Sequence, residues 1–430
     1  MNGVTIGWPV GVVNRPPKPS SASAQSETVG PHPTPHPGRE IFKRIRWITP
    51  SGESPYSREN KRAFREMALR CGLVGLPGSG KTTIYRAITA SVPSSFGKNE
   101  ANRATVHVPD PRVSRLVALY NPKKIVPAAL DVVDIPGIAA GDTADSGRGS
   151  RLLGPLNQVD ALIHIVRCHP GLTPMAPIED IETVSLELMI ADAQVLQKKI
   201  DRLAKRARSG DKDALREVTD CQTVLTGLQD GVPARKQHLS DSQRQSVSEC
   251  NLLSLKPELY VANVDTHSDA EQQAADAVAA WAKEEGTEMV LIRGRDEAEI
   301  AELDPDDRSL FLAELGLGES SMERLIHAAY RLLDIVTFFT AGEREVHVWN
   351  CRRGDVAPVA AGRIHSDMEN GFVRMEIIPC EDLLRHGSES AAAQAGAQRL
   401  EGKNYQVQDG DVVVVRFTAS RAKQTAGARG

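Results

Sequence analysis

One short segment of the sequence has the residue types and the spacing of a phosphate-binding loop. Gly75-Leu-Pro-Gly-Ser-Gly-Lys-Thr82 matches the pattern G-x-x-x-x-G-K-[ST] in full and stands between a predicted strand and a predicted helix. Its glycines let backbone N–H groups converge on phosphate oxygens, and the helix that follows presents the positive end of its dipole. We therefore predict a nucleotide-binding loop made of Gly75, Pro77, Gly78, Ser79, Gly80, Lys81, Thr82 and Thr83.

Three side chains of this loop have predicted roles in triphosphate chemistry. Lys81 is expected to neutralise the β- and γ-phosphates and the charge that develops on the γ-phosphoryl group, so it is a candidate catalytic residue. Thr82 is expected to offer its hydroxyl to Mg²⁺, the predicted cofactor. Thr83 is expected to bond nearer the α-phosphate.

A second motif, Asp134-Ile-Pro-Gly137, ends the apolar run that begins at Leu130. At the tip of a buried strand after a phosphate loop, Asp134 is a candidate Mg²⁺ ligand, and the N–H of Gly137 is a candidate sensor of the γ-phosphate. Ras-like GTPases place a water-orienting Gln next, where this chain has Ile138, so another group must position the water or hydrolysis is slow. The glycine-rich stretch 141–149 is predicted to be a switch segment.

The base is expected to bind near Asn263, at the end of the strand predicted over 259–264. In GTPases the N-K-x-D loop occupies this place, and its Asp accepts hydrogen bonds from guanine. Here the four residues are Asn263-Val264-Asp265-Thr266, and the hydroxyl of Thr266 cannot reproduce that bidentate acceptance. Asn263 and Val264 are the predicted base-binding residues, and guanine specificity is not expected.

The elements that must position these residues follow an α/β pattern. Apolar runs over 69–74, 129–135, 161–166, 259–264 and 289–292 predict a parallel sheet flanked by helices. A final segment from Asp334 predicts a small α+β module, with strands over 346–349, 372–378 and 411–417 and a helix over 390–399.

A helical insertion interrupts the predicted sheet. Apolar residues recur at intervals of three and four on two successive stretches, joined by the turn Ser209-Gly210-Asp211, which predicts an antiparallel helical pair. The predicted buried stripe consists of Leu186, Ile190, Ala193, Leu196, Ile200, Leu203 and Ala207, then Leu215, Val218, Cys221, Leu225 and Leu228.

Composition separates the N-terminus from the rest of the chain. The 430 residues predict about three domains. Residues 1–66 hold ten of the 26 prolines and ten Lys and Arg against five Glu, a net +5, which leaves −9 for the rest of a chain whose net charge is −4. We predict that this segment is disordered; Met67 as the true start is an alternative. Six scattered cysteines without a C-x-x-C pair predict reduced thiols, and no membrane span is expected.

The chain resembles the Obg-like ATPase, or YchF, family of P-loop NTPases from Met67 to about Ser420. The motifs that carry the resemblance include Gly75-Leu-Pro, Val108-Pro-Asp-Pro-Arg112, His164-Ile-Val-Arg-Cys168, Tyr260-Val-Ala-Asn-Val264, Thr337-Phe-Phe-Thr-Ala-Gly-Glu343 and Gly362-Arg-Ile-His-Ser-Asp367. The resemblance implies a G domain (67–178 and 256–308), a coiled-coil insertion (179–255), a helical connector (309–333), a β-grasp TGS domain (334–420) and a tail (421–430). It also implies ATP preferred over GTP, Mg²⁺-dependent hydrolysis of the β–γ phosphoanhydride and association with ribosomal subunits.

Several positions depart from the family pattern. Thr266 stands where the family has Glu, and Lys98 falls near the position of a Mg²⁺-contacting threonine in a shortened segment. The loop after Cys168 is short and lacks the histidine proposed to assist hydrolysis in some members, although His169 lies nearby. A GTP-binding protein, and a nucleotide-binding module with little hydrolysis, therefore remain alternatives to the predicted ATPase.

A cluster of cations lies near the turn of the helical pair. Lys198, Arg202, Lys205 and Arg206 are candidates for contact with ribosomal RNA, together with the TGS domain. The predicted protein is a cytoplasmic monomer that acts as a nucleotide-controlled switch on the ribosome.

Overall fold

The architecture comes from a computed structural model, which describes residues 69–91, 103–143, 153–171, 173–266, 268–304, 307 and 320–418. All of them belong to one compact unit of the chain. The predictions for 1–66, Lys98, 144–149 and 421–430 lie outside the described residues, as do residues 309–319 of the predicted connector.

Strands and helices alternate along the described chain. The strands are β1 (Leu69–Val74), β2 (Arg103–His107), β3 (Lys124–Val126), β4 (Ala129–Asp134), β5 (Ala161–Arg167), β6 (Glu258–Val264), β7 (Met289–Arg293), β8 (Ile335–Ala341), β9 (Glu345–Arg352), β10 (Phe372–Pro379), β11 (Arg399–Glu401) and β12 (Asp411–Phe417). The α-helices are α1 (Lys81–Ser91), α2 (Pro111–Tyr120), α3 (Pro177–Arg208), α4 (Lys212–Gln229), α5 (Asp241–Val247), α6 (Asp269–Glu284), α7 (Gly294–Glu302), α8 (Ser321–Leu332), α9 (Ala357–Ile364), α10 (Ser366–Asn370), α11 (Cys380–His386) and α12 (Glu389–Gln394).

The first sheet has the strand order β2-β4-β1-β5-β6-β7. β4, β1, β5, β6 and β7 are parallel, which confirms the α/β fold class. β2 was not predicted and runs antiparallel to β4 at the edge, so the sheet is mixed rather than purely parallel. The buried carboxylate of Asp131 on β4 holds this edge strand, because it accepts hydrogen bonds from Arg103 and Thr105.

The insertion consists of α3 and α4, which pack together as an antiparallel pair around their own apolar cluster. Gly210 takes the left-handed backbone of the turn (φ +91°), and the carboxylate of Asp211 caps α4 by accepting from the N–H of Ala214. The predicted stripe is wrong at two positions: Leu186 is 51% exposed and Leu215 is 54% exposed. The helices bury other residues of the same period instead, including Leu188 and Met189.

A buried carboxylate on α3 binds the segment by which the chain leaves the insertion and re-enters the sheet. Asp192 on α3 accepts from the N–H groups of Leu253 and Ser254, both at 2.7 Å, and from the Ser254 hydroxyl at 2.6 Å. These hydrogen bonds satisfy backbone donors just before β6, where the chain re-enters the sheet. The start of β6 is therefore fixed relative to the middle of α3.

The second sheet has the order β11-β10-β12-β8-β9-β3, with β12 parallel to β8 and α9 packed against its inner face. The hairpin β8–β9, the helix and the central parallel pair form a β-grasp arrangement. The helix predicted over 390–399 is wrong in its extent, because Gly396 takes a left-handed backbone (φ +77°) just after α12, and Arg399 begins β11.

The two sheets are connected through β3, which belongs to the second sheet although it lies between elements of the first. Ile125 of β3 pairs with Val346 of β9 in parallel register. The α2 helix beside it makes ionic contacts to the same module, from Arg112 to Asp409 (2.6 Å) and from Arg115 to Glu381 (2.7 Å). No helix in the described part of the chain is long and apolar enough to cross a membrane.

Candidate functional site

The phosphate-loop motif lies where β1 ends and α1 begins. The loop turns tightly, and Gly80 adopts a positive φ of +93°. A Cβ atom at Gly80 would lie 2.1 Å from Nδ2 of Asn263, so only glycine lets the loop approach the end of β6 this closely. The motif glycine therefore brings the predicted phosphate site and the predicted base site together.

Lys81 is buried (5% exposed) and bends back over the loop. Its Nζ atom donates to the carbonyl oxygens of Gly75 (3.0 Å) and Leu76 (2.7 Å). Burial lowers the pKa of Lys81 to about 8, and the negative charge of Asp134 opposes that shift. The ammonium group is thus held beside the cavity, with a third proton left to donate to a phosphate oxygen.

Asp134 and Thr82 form the predicted metal site. Oδ2 of Asp134 accepts from the Thr82 hydroxyl at 3.2 Å, while Oδ1 is buried and makes no hydrogen bond to the described residues. Burial raises the pKa of the Asp134 carboxyl, and the Thr82 hydrogen bond and the charge of Lys81 partly offset this. An orphaned carboxylate oxygen beside a hydroxyl fits Mg²⁺, which prefers hard oxygen ligands. The residues present therefore suit the predicted cofactor.

A cavity of about 560 Å³ lies in front of this loop, within the range of small-molecule sites. Its wall combines backbone, acidic and basic groups from the ends of β1, β4, β5, β6 and β7. The residues that line it are Pro77, Gly78, Gly80, Lys81, Thr82, Thr83, Asp134, Ile135, Pro136, Gly137, His169, Asn263, Asp265 and Arg295.

Three of the predicted nucleotide-binding residues do not line the cavity. Gly75 contributes its carbonyl to Lys81, and Ser79 contributes its carbonyl to Asn263. Val264 is buried in the apolar cluster beneath β6. The sequence reasoning also missed Asp265 and Arg295 as cavity residues. The signal that could have found Arg295 is its place just after β7, since ligands bind at the carboxyl ends of parallel strands.

Asn263 connects the loop to the neighbouring helix rather than standing free. Its Nδ2 donates to the carbonyl of Ser79 at 2.9 Å, and its Oδ1 accepts from the N–H of Gly294 at 3.1 Å. One Nδ2 proton remains for a ligand. The amide thereby fixes the phosphate loop, the end of β6 and the start of α7 to one another.

The chain after Asn263 is held by Glu271 of α6. This carboxylate accepts from the N–H groups of Asp265 (3.0 Å) and Thr266 (2.7 Å) and from the Thr266 hydroxyl (2.9 Å). Burial acts to raise the pKa of Glu271, but these hydrogen bonds prevail and lower it. The backbone at the candidate base site is therefore rigidly placed, and the proton of the Thr266 hydroxyl is already donated.

The segment after Asp134 touches both the loop and the insertion. Ile138 donates its N–H to the carbonyl of Gly75 at 3.1 Å, and its side chain is buried among apolar residues. Further on, Glu187 of α3 is buried and accepts from the N–H groups of Gly141 (2.6 Å) and Thr143 (2.9 Å). The first residues of the predicted switch segment are thus bound to the long helix of the insertion.

We expect alanine at Gly137 to slow hydrolysis while leaving the protein folded. A Cβ atom there would lie 2.6 Å from the backbone nitrogen of Pro77, so the segment after Asp134 would have to move away from the phosphate loop. Single-turnover hydrolysis should fall by at least about tenfold, the effect of losing about 1.4 kcal/mol of transition-state stabilisation. Alanine at Gly154, where φ is likewise not positive and no atom lies within 4 Å of an added Cβ, is the matched control. Wild-type turnover in Gly137→Ala would contradict this role.

The sheet, the loop with its buried lysine and the aspartate at the tip of β4 define a P-loop nucleoside triphosphatase fold. Two family models match the chain: MMR_HSR1, "50S ribosome-binding GTPase", over residues 70–205, and YchF-GTPase_C, "Protein of unknown function (DUF933)", over residues 335–418. The chain is 42% identical over 364 residues to the ribosome-binding ATPase YchF of Bacillus subtilis, covering 82% of this chain and 100% of that one. It therefore belongs to the YchF family, as the resemblance in the sequence predicted.

Two further relatives agree with this assignment. Obg-like ATPase 1 of Oryza sativa is 34% identical over 366 residues, which cover 82% of this chain and 93% of that one. The solved structure of the Schizosaccharomyces pombe YchF GTPase matches with a TM-score of 0.71 at 30% identity, covering 81% of this chain and 98% of that one. The predicted fold class is thus confirmed by a solved structure as well as by the observed topology.

Proposed function

We propose that the protein is a Mg²⁺-dependent nucleoside triphosphatase that prefers ATP, cleaves the β–γ phosphoanhydride and switches its contact with the ribosome according to the bound nucleotide. The observation that carries this proposal is the cavity in which Lys81, Thr82 and Asp134 converge at the end of β1 and β4. Glycine amides and the Lys81 ammonium bind the phosphates, and Asp134 with Thr82 would hold Mg²⁺. When bound, Mg²⁺ supplies neutralisation of the phosphate charge.

The attacking water needs a polar group, and Ile138 cannot supply one because its side chain is buried. His169 lies on the cavity wall and its Nδ1 bonds to the carbonyl of Pro170 at 2.9 Å. A carbonyl only accepts, so the proton is on Nδ1 and the lone pair of Nε2 is left to accept from water. We therefore favour His169 as the water-orienting residue, with Gly137 as the backbone contact to the γ-phosphate.

The hydrogen bonding of Thr266 supports the proposed preference for ATP. Guanine recognition in the N-K-x-D loop needs an acidic side chain at this position, and here the hydroxyl donates its proton to Glu271. The names of the relatives differ on this point, since the Bacillus subtilis protein is named an ATPase and the Schizosaccharomyces pombe structure a GTPase. The competing functions are a GTPase and a nucleotide-binding module with little turnover.

Calorimetric titration with non-hydrolysable ATP and GTP analogues, with and without Mg²⁺, tests the proposal. Single-turnover hydrolysis of each nucleotide follows, with and without purified ribosomes. Tighter Mg²⁺-dependent binding of the ATP analogue, together with measurable ATP turnover, is expected. A preference for GTP would replace the ATPase assignment with a GTPase, and binding without turnover even on ribosomes would leave only the binding module.

The ribosome contact is proposed for the tip of the insertion, where Lys198, Arg202, Lys205 and Arg206 are all exposed. Lys199, in the same run, is buried and donates to the carbonyl of Ser246 at 2.6 Å, so it serves the fold instead. The α3 helix has 32 residues and is about 48 Å long, which carries these cations far from the sheet. The C-terminal domain is the second proposed contact. The relatives' names support a ribosomal partner, and we place the protein in the cytoplasm as a monomer.

Charge reversal at the tip should weaken ribosome binding without touching the nucleotide site. We expect the double variant Arg202→Glu with Lys205→Glu to co-sediment with ribosomes more weakly and with a smaller dependence on salt, because fewer phosphate counterions are released. Nucleotide affinity should stay at the wild-type value. The same two-charge reversal at exposed positions on other helices, Lys283→Glu with Arg324→Glu, is the control. Equal loss in both variants would refute a specific role for the tip.

A further inference from the structure

Asp265 is an acidic residue at the cavity wall that none of the recognised motifs includes. It directly follows β6, and its side chain is 15% exposed. Its Oδ2 lies 3.3 Å from Nη1 of Arg295, which also lines the cavity and comes from the start of α7. A carboxylate thus faces the side of the cavity at which Asn263 stands.

The neighbours of Asp265 cannot recognise a base by an acceptor of their own. Oδ1 of Asn263 is occupied by the N–H of Gly294. Val264 is apolar and buried. Thr266 does not line the cavity, and its hydroxyl is engaged with Glu271 and with the N–H of Ser268. Within this four-residue segment, Asp265 alone offers unoccupied side-chain acceptor atoms to the cavity.

The chemistry of purines then indicates what this acceptor reads. The remaining proton of Asn263 Nδ2 can donate to N7, which adenine and guanine share and which therefore does not distinguish them. The substituent at C6 distinguishes them, because adenine has an amino donor there and guanine a carbonyl acceptor. At C6 an ionised carboxylate, which only accepts, bonds to the amino group and repels the carbonyl. The donors of guanine, N1–H and the amino group at C2, are those that the acidic side chain of the N-K-x-D loop accepts from at the position of Thr266, where this chain has no carboxylate.

We propose that Asp265 is the base-specificity residue of this protein and accepts a hydrogen bond from the amino group at C6 of adenine. The inference rests on the proposed nucleotide-binding function and names how the same site selects its base. Glu271 fixes the backbone of Asp265 through the N–H at 3.0 Å, so the carboxylate is presented from a rigid segment. Arg295 is a positioning residue: it is 74% exposed, and an exposed pair of this kind is weak enough to yield as the base enters.

Competition binding of a fluorescent ATP analogue against three triphosphates tests the proposal in the full chain. The competitors are ATP, purine riboside triphosphate, which has hydrogen at C6, and GTP. Wild-type protein should bind ATP at least about tenfold more tightly than purine riboside triphosphate, the size expected for a hydrogen bond to a charged group. Asp265→Ala should bring the two affinities to about the same value. Asp265→Asn, whose amide can also donate to a C6 carbonyl, should bind GTP more tightly than wild type does.

Asp296→Asn is the matched control, since it removes a nearby exposed carboxylate that does not line the cavity, and it should keep the wild-type order of affinities. Thermal melting of each variant checks that it is folded. Unchanged selectivity in folded Asp265→Ala and Asp265→Asn would overturn this inference while leaving nucleotide binding intact. Absence of nucleotide binding to the wild-type protein would instead refute the proposed function itself.

Discussion

Replacing Lys81 with alanine is expected to reduce nucleotide affinity by about ten- to a hundredfold and to bring hydrolysis below detection. Removal of a buried ammonium leaves the phosphates without their side-chain cation, and each charge-assisted hydrogen bond contributes about 1.5–3 kcal/mol. The loss of the hydrolysis rate has a separate cause, because Lys81 also stabilises the charge that develops on the γ-phosphoryl group in the transition state. Calorimetric titration with a non-hydrolysable ATP analogue and single-turnover hydrolysis measure the two losses separately.

Two further variants make the Lys81 result specific. Lys81 also donates to the carbonyls of Gly75 and Leu76, so a lost loop conformation could imitate a lost charge. Lys81→Arg keeps the cation and should retain more affinity than Lys81→Ala. Lys283→Ala removes an exposed cation from a helix outside the cavity and should behave as wild type. Wild-type affinity and turnover in Lys81→Ala would refute the phosphate-site assignment.

The largest loss of stability is expected from Glu258→Ala, at about 3–5 kcal/mol in the free energy of unfolding. Glu258 is buried at the start of β6, where it contacts Nδ1 of His164 at 2.7 Å and the guanidinium of Arg235 at 2.5 Å. Arg235 belongs to the segment by which the insertion returns to the sheet. Without Glu258, its largely buried charge lacks its closest partner. Urea denaturation measures the difference.

The same network has a definite pH dependence. Burial acts to raise the pKa of Glu258, but Arg235 and His164 outweigh it and hold the pKa below its ordinary value. The stability that this ionised carboxylate contributes is therefore fully present above about pH 4.3, the ordinary value for Glu, and is lost as the pH falls through the lowered pKa. Glu258→Ala should lack this part of the acid dependence. The exposed Glu284→Ala is the control, and Glu258→Ala with Arg235→Leu should cost less than Glu258→Ala alone.

Apolar runs gave most of the first sheet correctly from the sequence, because its central strands are buried on both faces. The prediction for 69–74 coincides with β1 of this sheet, and in the second sheet the prediction for 411–417 coincides with β12. β2, β3, β8 and β11 were not predicted. β2 and β3 are not apolar runs, since β2 is an edge strand held by polar contacts to Asp131 and β3 has only three residues. Their partners, β4 and β9, are not adjacent to them in the sequence, and no local pattern records such pairing.

The candidate site divides in the same way. The phosphate loop could be read from the sequence because its residues are contiguous and their backbone does the binding. Other residues of the site make contacts with residues 30 or more positions away, which a local pattern does not show. Examples are the ion pair between Asp265 and Arg295 and the hydrogen bond from Gly141 to Glu187. Leu186 and Leu215 follow the helical period but are exposed to solvent. Periodicity predicts which face of a helix is apolar, but it does not predict how far along that face the neighbouring helix covers it.

The short strand β3 has a mechanical consequence. From Val126 at its end to Asp134 at the tip of β4 the chain runs only eight positions, through a strand that is hydrogen-bonded on both sides. A short stretch of backbone, with only two residues between β3 and β4, therefore links the second sheet directly to Asp134, whose carboxylate faces the phosphate site. A load applied to that sheet reaches the carboxylate along the main chain itself, without having to cross an interface of side chains.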